Sequence, residues 1–428
     1  MRISSSQYFT LNVETMNNQQ ASLANMYAQI SSGKALQTAA DNPLGAAQAV
    51  ALSTQAANLA QYTTNQSSAL TSLQQEGSTL SNVTNVMQSI QSLVVNAGNG
   101  TLNDTDRTSL ATQLQGYRST LMTLANTTDS NGNYIFAGFQ GGSKPFSDNP
   151  SGVGATYAGG PGQRVVQISD TRTINVADPG SAIFQSVSSN ESSPVASGPP
   201  SGASANTGSG TISPVSVTNS SDPANASTYT ITFGTTTTGT PPTTTTVSSY
   251  SVSAKDPVTG LSTTVTPPTP YTAGGNISVG SQTVAISGTP ASGDTFTVAP
   301  ANTGNTSDTD IFATLDSLVN ALKQPADTAA AQATMQNALT TAGTKISNTY
   351  NNVLTTQTAV GGRSQEVTAT QTATQTTSTQ TASNLSNLVS VNLPSAISQY
   401  EMTQQSLQAA QQAFSQIAKM SLFTYLTG

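Results

Sequence analysis

Ser31 and Lys34 are the residues whose types and spacing come closest to a catalytic pair, that of a Ser–Lys nucleophile. They lie in the stretch SSGKALQTAADNPLGAA (31–47), but the companion motifs of such enzymes are absent from the sequence. A phosphate-binding loop would need glycine six residues before Lys34, where Ala28 stands. The stretch therefore predicts no catalytic residue.

The same stretch fits a joint between two helices. Gly33 can end the first helix in the left-handed conformation. Asn42 precedes a proline, which disfavours helix at Asn42. Asp41 or Asn42 can then cap a second helix that has Pro43 in its first turn. We therefore predict a helix–loop–helix joint here.

The amino-acid composition removes most other chemistry. Cys, His and Trp are absent, which excludes disulfides, thiolate metal sites and catalysis by imidazole. Two pairs of aspartates, Asp104 with Asp106 and Asp308 with Asp310, stand where helices are expected to begin and there stabilise the helix dipole. Neither pair belongs to an EF-hand pattern. We predict no catalytic residue, no metal site and no cofactor.

Charged residues are scarce in this chain, which argues against two classes of partner. Only 7% of the 428 residues are charged, and 19 acids against 12 bases give a net charge of −7. No run of Lys or Arg offers a surface for nucleic acid or anionic lipid, so neither nucleic acid nor membrane is expected as a partner. The residues after Met1 contain no apolar core of a signal peptide, so we expect a protein exported, if at all, without a cleaved signal.

Heptad spacing dominates the first zone, residues 1–138. Apolar side chains recur every seven residues and predict long helices of the coiled-coil type. The zone continues through NAGNG (96–100), a helix end, and NDTDR (103–107), a helix start capped by Asn103 or Asp104. The two heptad series are Phe9, Met16, Leu23 and Ile30, then Leu52, Leu59, Gln66, Leu73, Leu80, Met87 and Val94.

The second zone, residues 139–304, has short alternating runs bounded by Gly, Pro and Asp. RVVQISDTRTINV, TYTITF, NISVGSQTVAIS and DTFTV predict strands, so this zone is interpreted as an all-β insert. The stretch 186–227 is so rich in Ser, Gly, Pro and Asn that part of it is expected to be mobile. The stretch 235–246, TTTTGTPPTTTT, is either a loop or an edge strand.

The third zone, residues 305–428, returns to helical patterns. Asp308 or Thr309 can cap a helix that carries Ile311 to Leu322 and ends before Pro325. Two heptad series follow. They are Leu339, Ile346, Val353, Val360, Val367, Thr374, Thr381 and Leu388, and then Leu393, Tyr400, Leu407 and Phe414.

Helical patterns at both chain ends predict a mainly α fold with inserted β, in which antiparallel coiled-coil helices from both ends pack together. The faces outside the apolar stripes consist of Gln, Asn, Ser, Thr and Ala rather than the charges of exposed coiled coils. An ordinary intramolecular bundle gives the same spacing. The neutral faces favour helices that pack on several sides, as in the subunit of a close-packed tube.

Several segments in this order resemble the bacterial flagellin superfamily. They are SSGK…AADNPLGAA, NAGNGTLNDTDRTSLATQL, NGNYIFAGF, ISGTPASGDTFTVAP, IFATLDSLVNAL, AVGGR and QAFSQIAKMSLFTYL. Within the superfamily, YIFAG and GDTFTV are most similar to the junction subunits between hook and filament. The resemblance covers both helical ends and points within the insert.

The resemblance implies a structural, non-enzymatic component of the extracellular flagellum. Its terminal helices would form an inner assembly domain, with the β insert facing outwards. Implied partners are hook-associated protein 1, flagellin, further copies of the same chain and a flagellar export chaperone. Flagellin itself is one alternative. A secreted fibre or adhesin with a receptor-binding insert is another, and an enzyme is a distant third.

The hypothesis for assembly is that apolar stripes on the terminal helices complete their packing against neighbouring subunits. Burial of each large apolar side chain would contribute roughly 1.5–3 kcal/mol. The predicted interface residues are Leu23, Ile30, Leu52, Leu59, Leu393, Tyr400, Leu407, Phe414, Ile417, Leu422, Phe423 and Leu426.

Overall fold

The computed structural model describes residues 5–150, 152–188, 192–200, 203–239, 245–304 and 306–426. Its contacts divide the chain into two compact units. Unit 1 comprises Met1–Asn65 and Ala369–Gly428, and unit 2 comprises Gln66–Thr368. These boundaries differ from the predicted division into a helical core (1–138 with 305–428) and an insert (139–304), which stays a prediction about organisation.

Long helices from both ends of the chain build unit 1. They are α1 (Ser5–Ser32), the first part of α2 (Pro43–Ala97), the last part of α7 (Ala329–Val389) and α8 (Leu393–Leu426). Unit 2 contains the second part of the heptad series on α2 and the first part of the series on α7. The fold is mainly helical, as the spacing predicted.

Four helical segments pack together in unit 2. The remainder of α2 and α7 is joined by α3 (Asp104–Ala125) and α6 (Ile311–Lys323), and a short helix α5 (Thr306–Thr309) precedes α6. The stripe on α2 is fully buried at Leu73, Leu80 and Met87. On α7, Ile346, Val353, Val360 and Val367 are at most 2% exposed.

The long helices α2 and α7 run antiparallel within unit 2. A Cβ atom on Gly77 would lie 3.6 Å from Val360, and one on Gly343 would lie 3.8 Å from Val94. Between these points, Gln88 Nε2 donates a hydrogen bond to Tyr350 Oη at 2.9 Å. Glycine on one helix thus faces valine on the other at both contacts, which confirms an antiparallel coiled-coil arrangement.

Side-chain caps fix the starts of the shorter helices. Asn103 and Asp106 form a capping box at α3, in which Asp106 N donates to Asn103 Oδ1 at 2.9 Å. At α6 the cap is Asp310, whose Oδ1 accepts from Phe312 N at 2.9 Å. The prediction of Asp308 or Thr309 as this cap was wrong, because both residues belong to the preceding helix α5.

The middle of the chain forms antiparallel strands, which confirms the predicted β insert. Two hairpins come first, β1 (Phe146–Asp148) with β2 (Ala155–Tyr157), and β3 (Arg164–Gln167) with β4 (Thr173–Ala177). They are followed by a five-residue helix, α4 (Gly180–Phe184), which the all-β interpretation missed.

Two larger sheets enclose a hydrophobic core of their own. One has the order β10-β9-β8-β13-β5, and in the other β12 pairs with β11, β6 and β7. Ile231, Phe233, Val252, Ile286 and Phe296 are among the side chains between them. The strands are β5 (Val195–Ser197), β6 (Thr211–Ile212), β7 (Ser216–Val217), β8 (Thr228–Thr238), β9 (Thr245–Lys255), β10 (Ser262–Pro270), β11 (Asn276–Val279), β12 (Gln282–Ser287) and β13 (Thr295–Ala299).

Both stretches of the insert whose structure the sequence left open contribute to strands. Stretch 235–246 supplies the end of β8 and the start of β9, which pair from Thr228↔Lys255 to Thr238↔Thr245. Stretch 186–227 contributes β5, β6, β7 and a 3-10 turn, Pro223–Ala226, among its described residues. The expected mobility of its remainder stays a prediction. Among the described helices, none has the length and apolar character needed to cross a membrane.

The buried stripe of unit 2 should dominate the stability of that unit. Leu80 is 0% exposed in the middle of α2, whereas Val95 of the same helix is 78% exposed. We expect Leu80→Ala to lower the free energy of unfolding by about 2–5 kcal/mol through lost burial and a cavity. Val95→Ala should change it by less than about 0.5 kcal/mol. Urea unfolding followed by circular dichroism measures both, and equal effects would contradict the assignment of the stripe.

Candidate assembly interface

The stretch 31–47 is a helix–loop–helix joint. α1 ends at Ser32 and Gly33 follows with a φ of 69°, a left-handed conformation that glycine adopts without strain. Asn42 Oδ1 accepts a hydrogen bond from Gly45 N at 2.9 Å, so Asn42 caps α2 and Pro43 is its first residue. The predicted joint is confirmed, and Asn42 rather than Asp41 is the cap.

Asp41 instead stabilises the loop itself. Its Oδ2 accepts hydrogen bonds from Thr38 N at 2.8 Å and from Gln37 N at 3.2 Å. The hydrogen bonds from Thr38, above all from its backbone N–H, hold the pKa of Asp41 below its usual value of 3.8. Ser31 and Lys34 are both exposed, and the backbone N–H of Lys34 donates to Ser32 Oγ at 3.3 Å.

A second joint, between α7 and α8, pairs with the first. Ala35 N donates to Val389 O at 2.7 Å, Val391 N donates to Gly33 O at 3.0 Å, and Lys34 and Ser390 form an antiparallel bridge. The heptad series predicted helices on both sides of this joint but not the joint itself. The signal was present in VNLP (391–394), where Asn392 precedes a proline in the first turn of a helix.

The helices outside the two joints also pair. The ring centroids of Phe9 on α1 and Phe414 on α8 are 4.7 Å apart, and Gln19 Nε2 donates to Ser406 Oγ at 3.3 Å. Position 9 thus meets position 414 while position 19 meets position 406, so α1 and α8 are antiparallel. The two ends of the chain lie side by side, as the sequence analysis predicted.

The predicted interface residues are incompletely buried in unit 1. Leu393 is 45% exposed. α8 also contains Ile417, Leu422, Phe423 and Leu426, whose side chains lie outside the described part of the structure. The partly buried residues are Leu23, Ile30, Leu52, Leu59, Tyr400, Leu407 and Phe414.

Further large apolar side chains of unit 1 are exposed outside the predicted stripes. Leu44 is 70% exposed, Val50 67%, Met402 60% and Ile397 44%. Within the described residues of unit 1, Ala396 is the single buried apolar side chain. These four residues do not follow the main seven-residue series, so the spacing did not predict them. Unit 1 therefore has a largely neutral surface with apolar side chains available for contact.

A buried ionic cluster in unit 2 links α2 to the insert and to α7. Glu76 is 1% exposed, and its Oε1 accepts from Asp178 N at 3.0 Å. Asp178 forms an ion pair with Arg363, whose Nη1 donates to Asn175 O at 3.0 Å. Burial, followed by the nearby charge of Asp178, raises the pKa of Glu76 to about 8. Glu76 is therefore mainly protonated at pH 7 and does not compete with Asp178 for Arg363.

This raised pKa should make stability depend on pH. Because the usual pKa of Glu76 is 4.5, the unfolded chain releases this proton near pH 4.5 while the folded chain keeps it until about pH 8. Its contribution to stability is complete below pH 4.5 and is lost as the pH rises to about 8, by at most about 1.4 kcal/mol per pH unit. We expect Glu76→Gln to remove this loss.

Unfolding by urea at pH 5, 6, 7 and 8 tests the expectation. The matched control is Glu401→Gln on the exposed surface of α8, which should retain the pH profile of the unaltered protein. A Glu76→Gln variant whose pH profile is also unchanged would show that the buried carboxyl does not titrate in this range.

Comparisons with known proteins agree with the helical architecture and the sequence motifs. A family model described as the bacterial flagellin N-terminal helical region matches residues 3–141. Flagellar hook-associated protein 3 of Salmonella typhimurium is 42% identical over 190 residues, and that of Escherichia coli is 40% identical over 190 residues. Each alignment covers 44% of this chain and 59% of the relative, so the chain spans less than two thirds of the length of these curated relatives.

Solved structures extend the similarity to the whole length of other proteins. Hook-associated protein 3 of Legionella pneumophila has a TM-score of 0.66 at 26% identity, covering 79% of this chain and 98% of that protein. A structure described as the flagellar junction protein FlgL of the same organism has a TM-score of 0.63 at 25% identity, covering 80% and 99%.

These findings identify a class of protein with long antiparallel helices at both ends and a β insert. The N-terminal helical region of this chain matches the model of the bacterial flagellin N-terminal helical region, and the predicted resemblance to the flagellin superfamily is confirmed. Within the superfamily, the relatives and structures described above are hook-associated protein 3 and junction proteins.

Proposed function

We propose that this chain is a structural subunit of the bacterial flagellum that joins the hook to the filament. The single observation that carries the proposal is the state of unit 1, whose paired terminal helices leave their described large apolar side chains half-buried or exposed. The names of the relatives, hook-associated protein 3 and flagellar junction protein, support the same function. No catalytic step belongs to it.

Assembly would complete the packing that unit 1 leaves unfinished. Each large apolar side chain that becomes buried contributes roughly 1.5–3 kcal/mol. Neighbouring copies carry few charges on these helices, so their approach involves little desolvation of ions or repulsion. Several such side chains for each neighbour offset the loss of freedom on association. The twelve predicted interface residues remain part of this proposal.

The partners of the proposal follow from the position of a junction subunit. Hook-associated protein 1 would contact it on the hook side, flagellin on the filament side, and further copies of this chain around the junction. A flagellar export chaperone would hold the C-terminal helix before assembly. The location would be extracellular, reached by type III export without a cleaved signal peptide. No nucleic acid or membrane partner belongs to the proposal.

Two alternatives predict different behaviour. Flagellin itself would be distributed along the filament, whereas a junction subunit would give a narrow antibody-labelled band at the base of each filament. The names of the relatives favour the junction. A secreted fibre or adhesin would form a stable trimer in solution without other flagellar proteins, and sedimentation of the purified chain distinguishes that trimer from the expected monomer.

The exposed apolar residues of α8 provide a direct test of the assembly surface. A double variant with Ile397→Asp and Met402→Asp places two charges where neighbouring subunits would have to bury them. Since Ile397 is 44% exposed and Met402 60% exposed, the isolated chain should still fold. We expect at least a tenfold loss of the protein from isolated flagella, measured by immunoblotting in cells that lack their own copy.

Val258→Asp is the matched control because Val258 is 91% exposed but belongs to the insert in unit 2. It should leave incorporation unchanged. If the Ile397 and Met402 double variant joined flagella as well as the control, this surface of α8 would have no role in assembly.

A truncation tests the end of the chain. Removal of residues 415–428 takes away Ile417, Leu422, Phe423 and Leu426 together with the other apolar side chains of this end. We expect the shortened chain to be absent from isolated flagella, while unit 2 unfolds in urea at an unchanged midpoint. Its presence at the junction at normal levels would refute the role assigned to the C-terminal stripe.

A further inference from the structure

The hairpin formed by β8 and β9 extends beyond the sheet to which it belongs. The last contacts of β8 with the β13 side are the hydrogen bonds from Phe233 N to Asp294 O and from Gly293 N to Phe233 O, both 2.9 Å. From Gly234 to Thr238, the described backbone pairs with β9 alone. We call residues 234–239 and 245–248 the threonine ribbon.

The opposite edge of the threonine ribbon is open as well. On the β10 side of β9, the last described contact is the hydrogen bond from Tyr271 N to Ser248 O at 2.8 Å. The backbone N–H and C=O groups of successive residues point to opposite sides of a strand. Those of Phe233 point towards the β13 side, so those of Thr235 and Thr237 point to the same side, away from β9. Thr246 of β9 lies opposite Thr237, and its backbone N–H and C=O groups point away from β8. Within the described residues, these three threonines have no backbone partner on their outer sides.

Other edges of the same sheet are protected against pairing. β10 contains Pro267, Pro268 and Pro270 and has two irregularities in its register, while β5 is only three residues long. Proline, irregularity and shortness are the usual means of preventing contact between sheet edges. The described strands of the threonine ribbon have none of them, and the sequence from Thr228 to Ala254 contains no charged residue.

We propose that the β8 edge at Thr235 and Thr237 pairs with the β9 edge at Thr246 of a second copy of this chain. The proposal rests on the proposed function, which places copies side by side around a junction. Each ribbon carries one open β8 edge and one open β9 edge on opposite sides, so the same contact can repeat from copy to copy. Uncharged ribbons approach one another without repulsion, whereas a charged partner would find no complementary charge.

Pairing between copies would also stabilise the ribbon. An isolated two-stranded hairpin is only marginally stable in water, and additional strands supply the missing hydrogen bonds. Threonine suits such a contact because its branched side chain favours extended backbone. The contact would join the inserts of neighbouring subunits, separately from the packing of the terminal helices.

Disulfide formation between two different variants tests the contact. The chain has no cysteine, so Thr237→Cys and Thr246→Cys each introduce a single thiol. The two variants are co-expressed in cells that lack their own copy, and isolated flagella are oxidised and analysed without reductant. A random mixture brings the two thiols together at about one interface in four, since the contact has a direction. We therefore expect a covalent dimer at about one interface in four.

The matched control replaces Thr246→Cys with Thr264→Cys, an exposed position on the protected strand β10. This pair should give less than a tenth of the dimers. Dimers of Thr237→Cys alone would overturn the proposal in favour of a symmetric contact between β8 edges. Normal incorporation without dimers would overturn the edge contact and leave the junction function standing. Absence of all variants and of the unaltered chain from flagella would instead refute the proposed function, and the edge contact with it.

Discussion

The antiparallel packing of α2 against α7 is the interaction on which the rest of the molecule depends. Apolar side chains at every seventh residue are buried on both helices in unit 2, and Gly77 and Gly343 allow valines of the opposite helix to approach. The insert is connected between these helices through α3 and α6. Its position relative to the helices of unit 2 is fixed by hydrogen bonds such as that from Gln66 Nε2 to Ile168 O at 2.7 Å.

Helices with so little charge satisfy the hydrogen bonds of many polar side chains locally. Thr84 Oγ1 donates to Leu80 O at 2.9 Å, and Thr349 Oγ1 donates to Lys345 O at 3.1 Å, each one turn back along its helix. A threonine that makes this bond can be buried without a costly unpaired hydroxyl. The neutral composition therefore permits burial on several sides of one helix, which charged side chains would oppose.

The sequence predicted elements whose signals are local better than it predicted contacts between distant segments. Heptad positions such as Val353 and Val360, the start of α3 with a cap at Asn103 or Asp104, and the strands β8 and β13 followed from spacing and residue type. The order of strands did not, because β5 and β8 pair with β13 across roughly 60 to 100 residues of chain, and period-2 patterns do not encode partners. The cap at Asp310 was missed because five acidic or hydroxyl residues in a row, 306–310, precede the helix.

The degree of burial of each side chain also could not be predicted from the sequence. Leu59 and Leu73 occupy equivalent heptad positions of α2, yet Leu59 is partly exposed in unit 1 and Leu73 is fully buried in unit 2. Spacing tells which face of a helix is apolar but not how many other helices cover that face. The same limit applies to the interface residues, whose role depends on neighbours outside the chain.

The hydrogen bonds between the two helix joints have a consequence for how the gene can vary. Ala35 with Val389, and Val391 with Gly33, hold the ends of four helical segments at one level. One added codon between Gly33 and Ala35 would break this match unless the stretch from Val389 to Val391 changed in length too. Insertions and deletions at these two points of the gene should therefore arise together, while the hairpin turns of the insert are free to lengthen independently.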